Sequence, residues 1–217
     1  MKKWFPALIV TLGLVCSPLQ PASVSAMAGF RNDTNAVCLS PKMVQLKSDL
    51  QKLWINHTIW TRSYIVSAMS NRADQQDVLN RLLQNQQDIG NAFKPFYGEA
   101  VGNKLAELLK QHILIAGQIV AAAKADNQAE VKKWDTEWHR NADDISKLLS
   151  EINPNWPFKT IQERFYTHLQ LITEIVVNCL KGNWQADIAA TDKNEIHMIH
   201  LADLLTEGIV KQFPGKF

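Results

Sequence analysis

The sequence predicts an all-α fold: three tandem helical hairpins, an internal repeat of about 56 residues, forming a compact six-helix array or bundle. Three observations carry this. Apolar residues recur at alternating spacings of four and three, the stripe of an amphipathic helix. His57, His112 and His168 recur at a nearly constant interval. Each expected hairpin closes on a proline beside aromatic residues, around Pro95, Pro157 and Pro214. Neither a Val/Ile/Thr alternation nor an Asn-Gly or Asp-Gly hairpin turn is present, so no strands are expected.

The first residues read as a targeting segment. Lys2 and Lys3 precede a mostly apolar run from Phe5 to Val15, and Ala26-Met27-Ala28 offers a small-x-small cleavage site. Residues 1–28 are therefore expected to be a cleaved secretory signal peptide, and 29–39 an extended N-terminal segment. Residues 40–217 are expected to form one all-α domain of hairpins 40–98, 99–157 and 158–217.

In the first hairpin Ser40-Pro41 has the chemistry of a helix start, serine as cap and proline in the first turn. Leu46, Leu50, Leu53, His57, Trp60 and Tyr64 mark the outgoing stripe. Asp74 is a candidate cap for the return helix, which carries Val78, Leu82, Asn85 and Ile89 and is expected to stop at Pro95. The second hairpin goes out on Leu105, Leu108, His112, Ile115 and Ile119, and Asp126 is its candidate cap. It returns on Val131, Trp134, Trp138, Asn141, Ile145 and Leu148. In the third, Phe165, His168, Ile172 and Ile175 lead to a break near Gly182, and the return helix runs from about Gln185 to Val210.

The hairpins agree beyond their apolar pattern. Each return helix carries a polar residue, two spacers, an Asp and an aliphatic: Asn85-Asp88-Ile89, Asn141-Asp144-Ile145 and His200-Asp203-Leu204. At equal rise per residue, each outgoing histidine comes level with these polar groups across its hairpin. His57 with Asn85 and Asp88, and His112 with Asn141 and Asp144, are expected as structural polar pairs that satisfy a buried imidazole and fix helix register. The third hairpin deviates by adding His197. His168, His197, His200 and Asp203 are the candidate ligands of a divalent metal, since helical bundles build such sites from inward His and carboxylate groups. No other cofactor is expected.

Composition narrows the partners. Without residues 1–28 the chain has 21 basic and 21 acidic residues, which argues against nucleic acid or a polybasic membrane patch. No later apolar run of about 18 residues exists, so no transmembrane segment is expected after signal cleavage. Cys38 and Cys179 remain as an even pair in an oxidising compartment. Yet hairpins stacked in one direction would place them at opposite ends, about 40 Å apart, beyond disulfide reach.

Two stretches, Asn85-Gln86-Gln87-Asp88-Ile89-Gly90-Asn91-Ala92 and Leu108-Leu109-Lys110-Gln111-His112-Ile113-Leu114-Ile115-Ala116, carry a resemblance. The chain resembles a family of small secreted helical proteins of spore-forming Gram-positive bacteria, whose function is unassigned. Some members bear the label glycosyltransferase, but the chain has neither an Asp-x-Asp motif nor the length of a nucleotide-sugar domain. The resemblance implies secretion and kinship and adds no catalytic residue. The expected function is thus a secreted or cell-envelope-associated, non-enzymatic binding or structural module with an unknown extracellular ligand or protein partner. The alternative is a metal-binding or metal-dependent protein using the third hairpin, and a transferase rests on the family label only.

Overall fold

The computed structural model describes residues 39–217, which pack as one unit of five α-helices and a closing 3-10 turn, with no strand among the described residues. The expected signal segment and, Leu39 apart, the 29–39 segment lie outside the described residues, and so does Cys38.

Helix α1 spans Pro41–Met69. Ser40 caps it by accepting the Met43 N–H at 3.2 Å, with Pro41 in the first turn, as the sequence predicts. Its most buried face is Leu50, Trp54, His57, Thr61, Tyr64 and Ala68. That stripe shares Leu50, His57 and Tyr64 with the expected one but runs through Trp54 and Thr61 where Leu53 and Trp60 were expected. Leu53 and Trp60 pack half-buried at its margin.

Helix α2 spans Gln75–Lys124, 50 residues, where the sequence predicts two separate helices. The reversal comes not at Pro95 but at Gly98, whose φ of 84° and ψ of 169° are non-helical. Proline's fixed φ is itself helical and costs one N–H, whereas this pair of dihedrals is essentially open only to glycine. About Gly98 the two halves fold back on each other. A Cβ at Gly90 would strike the Gly102 carbonyl and Ala106, and Lys110 donates to Gln87 Oε1 at 2.7 Å. By length and composition α2 could cross a bilayer, but half of its most apolar window is buried inside this bundle.

Helix α3 spans Gln128–Ile152, α4 Phe158–Leu180 and α5 Trp184–Gln212. The cap of α3 is Asn127, which accepts the Glu130 N–H at 3.2 Å. The expected cap, Asp126, instead forms the turn at φ 55°. Asp74 does stand at the N-cap position of α2, but its carboxylate is bound to Ser67 and Arg72 rather than to the helix end.

Each helix packs against the next, and α5 returns to α1 to close the ring, with α1 also touching α4 across the centre. The ring is pinned at both ends. At the turn end Lys124 donates to the Ala68 carbonyl and to Asn71. At the other end the three proline-aromatic closures come together: Tyr97 lies 5.8 Å from Trp156 and 5.3 Å from Phe213 between ring centroids. Asn153 donates to the Tyr97 hydroxyl at 2.8 Å, and that hydroxyl donates to Gln212 at 2.9 Å. Burial pushes the Tyr97 hydroxyl up to about 12, so it stays a neutral donor. Between the ends, Arg62 of α1 reaches the fully buried Asp187 of α5 at 2.6 Å, joining the last helix to the first.

Candidate functional site

The three recurring histidines meet at the centre of the ring. His57 of α1, His112 of the second half of α2 and His168 of α4 are each only 2% exposed. The ring centroids of His57 and His168 are 5.3 Å apart, and those of His168 and His112 are 6.1 Å apart. Trp54 closes on His57, and Trp138 lies 5.2 Å from His112, so aromatic rings wall the cluster from water.

Each imidazole has its Nδ1 tied to a side-chain amide of a neighbouring helix, α2, α3 or α5. For His57 the partner is Gln86, at 3.2 Å. His112 bonds Asn141 at 2.7 Å and His168 bonds Asn194 at 2.8 Å. A second bond accompanies each tie and runs to the carbonyl four residues before the histidine. Asn85 donates to Leu53 O, Asn141 to Leu108 O, and His197 Nε2 to Arg164 O, at 3.0, 3.1 and 2.7 Å. Asn141 performs both roles. Around His57, Asn85 and Gln86 divide them, and around His168, His197 and Asn194 do.

The partners fix the tautomers. The Gln86 Nε2 lies 2.9 Å from Leu82 O and 3.2 Å from Asn85 Oδ1, two acceptors, so the amide nitrogen belongs there; His57 Nδ1, facing a nitrogen that only donates, cannot donate to it and shares one of its two N–H groups with Asn85 Oδ1. The His57 proton is then on Nε2, which faces His168 Nε2 at 3.4 Å and donates to it. His168 accordingly carries its proton on Nδ1, donated to Asn194 Oδ1. His112 likewise donates from Nδ1 to Asn141, which leaves its Nε2 a bare buried lone pair without a partner.

Electrostatics keep the cluster neutral. Burial is the largest cause holding His112 down to about 3 and His168 to about 4, with neighbouring imidazoles adding to it. Burial, then His168 and His112, hold His57 well below the usual imidazole range. Such groups can accept, donate and pack at neutral pH, but they cannot carry charge.

The structure places the expected residues unevenly. His112 and Asn141 pair as the sequence predicts, whereas His57 is held by Gln86, and the expected Asn85 sits one bond away on the Leu53 carbonyl. Asp88 and Asp144 do not join their histidines. Asp88 accepts from Gln84 at the surface beside Arg81, and Asp144 is exposed. A neutral amide satisfies a buried imidazole without the cost of desolvating a carboxylate. The four candidate metal ligands do not converge. His168 and His197 are buried and hydrogen-bonded as described, His200 is exposed, and Asp203 binds Lys47 and Gln51 of α1 at 3.1 and 2.7 Å. No group of three or more His, Cys, Asp or Glu among the described residues has metal-holding geometry.

Gln86 and Asn194 are the partners that sequence reasoning missed. The same forward offset from each histidine leads to Gln86, Asn141 and His197, and that signal was available. His197 already serves the Arg164 carbonyl, so Asn194, one turn earlier, supplies the amide. Away from the centre, an almost wholly apolar recess of about 70 Å3, partly open to solvent, lies where α2, α3 and α4 meet. Ala116, Ile119, Val131, Ile172 and Val176 are among its lining residues.

Fold and centre together define an all-α bundle organised on three buried, amide-tied histidines. No protein-family model, curated protein or solved structure matches the chain.

Proposed function

We propose that the chain is a secreted, non-enzymatic helical module that acts outside the membrane by binding or by structural presence. In this reading residues 1–28 are its signal peptide, and the ring is three tandem hairpins of similar length, six helical segments in all, with Gly98 dividing α2. The recurrence of one bond, from the return helix to the carbonyl four residues before each histidine, supports the repeat. The convergence of the proline-aromatic closures at one end supports hairpins stacked in one direction.

One observation carries the functional reading. The recurring histidines, the residues best suited to chemistry, commit every ring nitrogen but His112 Nε2 to facing amides and to each other, in a centre shielded from water. A buried polar network of this kind fixes register among packed helices, at a cost in stability.

Metal content and thermal melting of the secreted protein, before and after exhaustive chelation, test this against the metal-dependent alternative. The structural centre requires an unchanged melting temperature after chelation, and a His200→Ala variant that melts as the parent does. One retained equivalent of divalent metal, lost in His200→Ala together with several degrees of melting temperature, would establish the alternative instead.

A further inference from the structure

Among the described residues, the contact between His57 and His168 is the one hydrogen bond at the centre that joins α1 directly to α4. It exists because one Nε2 carries a proton and the other does not. We propose that this pair is a proton-operated latch between α1 and α4, closed near neutral pH and opened by acidification.

The geometry leaves a proton nowhere harmless to go. A proton taken from water by the His168 Nε2 lone pair sets two N–H groups face to face at 3.4 Å, replacing a bond by a repulsion. His57 could then yield only by moving its own proton to Nδ1, which faces the Gln86 Nε2. That amide would have to turn over, bringing its now unpartnered Oε1 against the Leu82 carbonyl and Asn85 Oδ1. A proton on the bare His112 Nε2 has no acceptor at all.

Among the described residues no carboxylate faces the cluster to hold the charge. The titratable groups acting on it are its own members, His139 of α3 on His112, and His197 of α5 on His168, and each opposes protonation. Arg164 of α4 and His200 of α5 bear in turn on His197 with the same sign. Folding therefore lowers the affinity of these imidazoles for protons. Their contribution to stability is complete above the unfolded value of 6.5 and is lost as pH falls toward about 4 for His168 and about 3 for His112, because the open chain binds the protons the closed one refuses. Opening would begin at α1 against α4, a contact less extensive than those α1 makes with α2 and α5.

The latch rests on the metal-independent centre proposed above, and chelation distinguishes the two failures. A chelation-sensitive melt at pH 7.5 would overturn the structural centre itself, whereas a chelation-insensitive protein lacking the pH response below would overturn only the latch. The experiment is thermal melting and near-ultraviolet circular dichroism of the full secreted chain from pH 7.5 to 4, with His168→Gln and Asn194→Asp alongside. The parent is expected to lose melting temperature steadily below pH 6.5. His168→Gln should melt lower at pH 7.5 and take up about one proton fewer on unfolding at pH 5. Asn194→Asp places a carboxylate on His168 Nδ1, where the amide nitrogen it replaces has no partner, and should move the acid transition about one pH unit lower, a readout that stands even if His168→Gln does not fold. A parent whose pH slope is matched by His168→Gln, or an Asn194→Asp transition unmoved or shifted upward, would overturn the latch.

Discussion

Asn85 in the first half of α2 and Asn141 in α3 make the same bond, each donating its side-chain amide to the carbonyl four residues before a central histidine, Leu53 before His57 and Leu108 before His112. They differ in what else they hold. Asn141 also accepts from His112 Nδ1, whereas Asn85 leaves the imidazole to Gln86. Asn141→Leu is expected to cost about 2–3 kcal/mol, because it strands a buried imidazole N–H, and Asn85→Leu about 1 kcal/mol. Urea unfolding at pH 7.5 measures both, and equal losses would show that Asn141 does not carry the second role.

Gly98 is where α2 turns back on itself. Its φ of 84° and ψ of 169° lie in a region that a side chain makes costly, although nothing crowds the position. Gly98→Ala is expected to destabilise by about 1–3 kcal/mol through backbone strain alone. Ala92→Gly, inside the same helix, should cost no more than about 1 kcal/mol. A Gly98→Ala protein as stable as the parent in urea would mean that the reversal can be made with other dihedrals.

Arg62 and Asp187 link α1 to α5 with the carboxylate fully buried. Arg62→Met leaves that carboxylate without its cation and is expected to cost about 3 kcal/mol, while the double change with Asp187→Leu should recover most of it. Chemical denaturation of the two variants checks this. A double variant no more stable than the single one would show that the lost packing of Arg62 dominates.

Much of this architecture is legible in the sequence, and the reasons for the rest are physical. Helical periodicity and the Ser40-Pro41 start follow from short-range rules, and the structure follows them closely. The histidine spacing puts the three imidazoles at the same depth, because helices of matched length bring residues at matched positions level, but it carries no expectation that all three meet in one cluster. What the pattern could not tell was which neighbour serves each imidazole. Asp88 and Asp144 are the stronger acceptors on paper, yet water solvates a carboxylate better than a buried imidazole can, and the amides of Gln86 and Asn141 go inside instead. In α5 His200 fits the polar-x-x-Asp signature, but one helical turn separates it from His197, which bonds the Arg164 carbonyl as Asn141 bonds that of Leu108. The expected break at Pro95 fell at Gly98 for a similar reason, since proline weakens a helix where glycine can reverse it.

The most direct measurement at the centre is the protonation state of its three imidazoles, by nitrogen-15 NMR of the histidine side chains at pH 7.5. The amide-tied centre requires three neutral rings, with His57 protonated on Nε2 and both His112 and His168 protonated on Nδ1. An imidazolium among them, or a His57 protonated on Nδ1, would contradict the hydrogen-bond chain from Gln86 through His57 and His168 to Asn194.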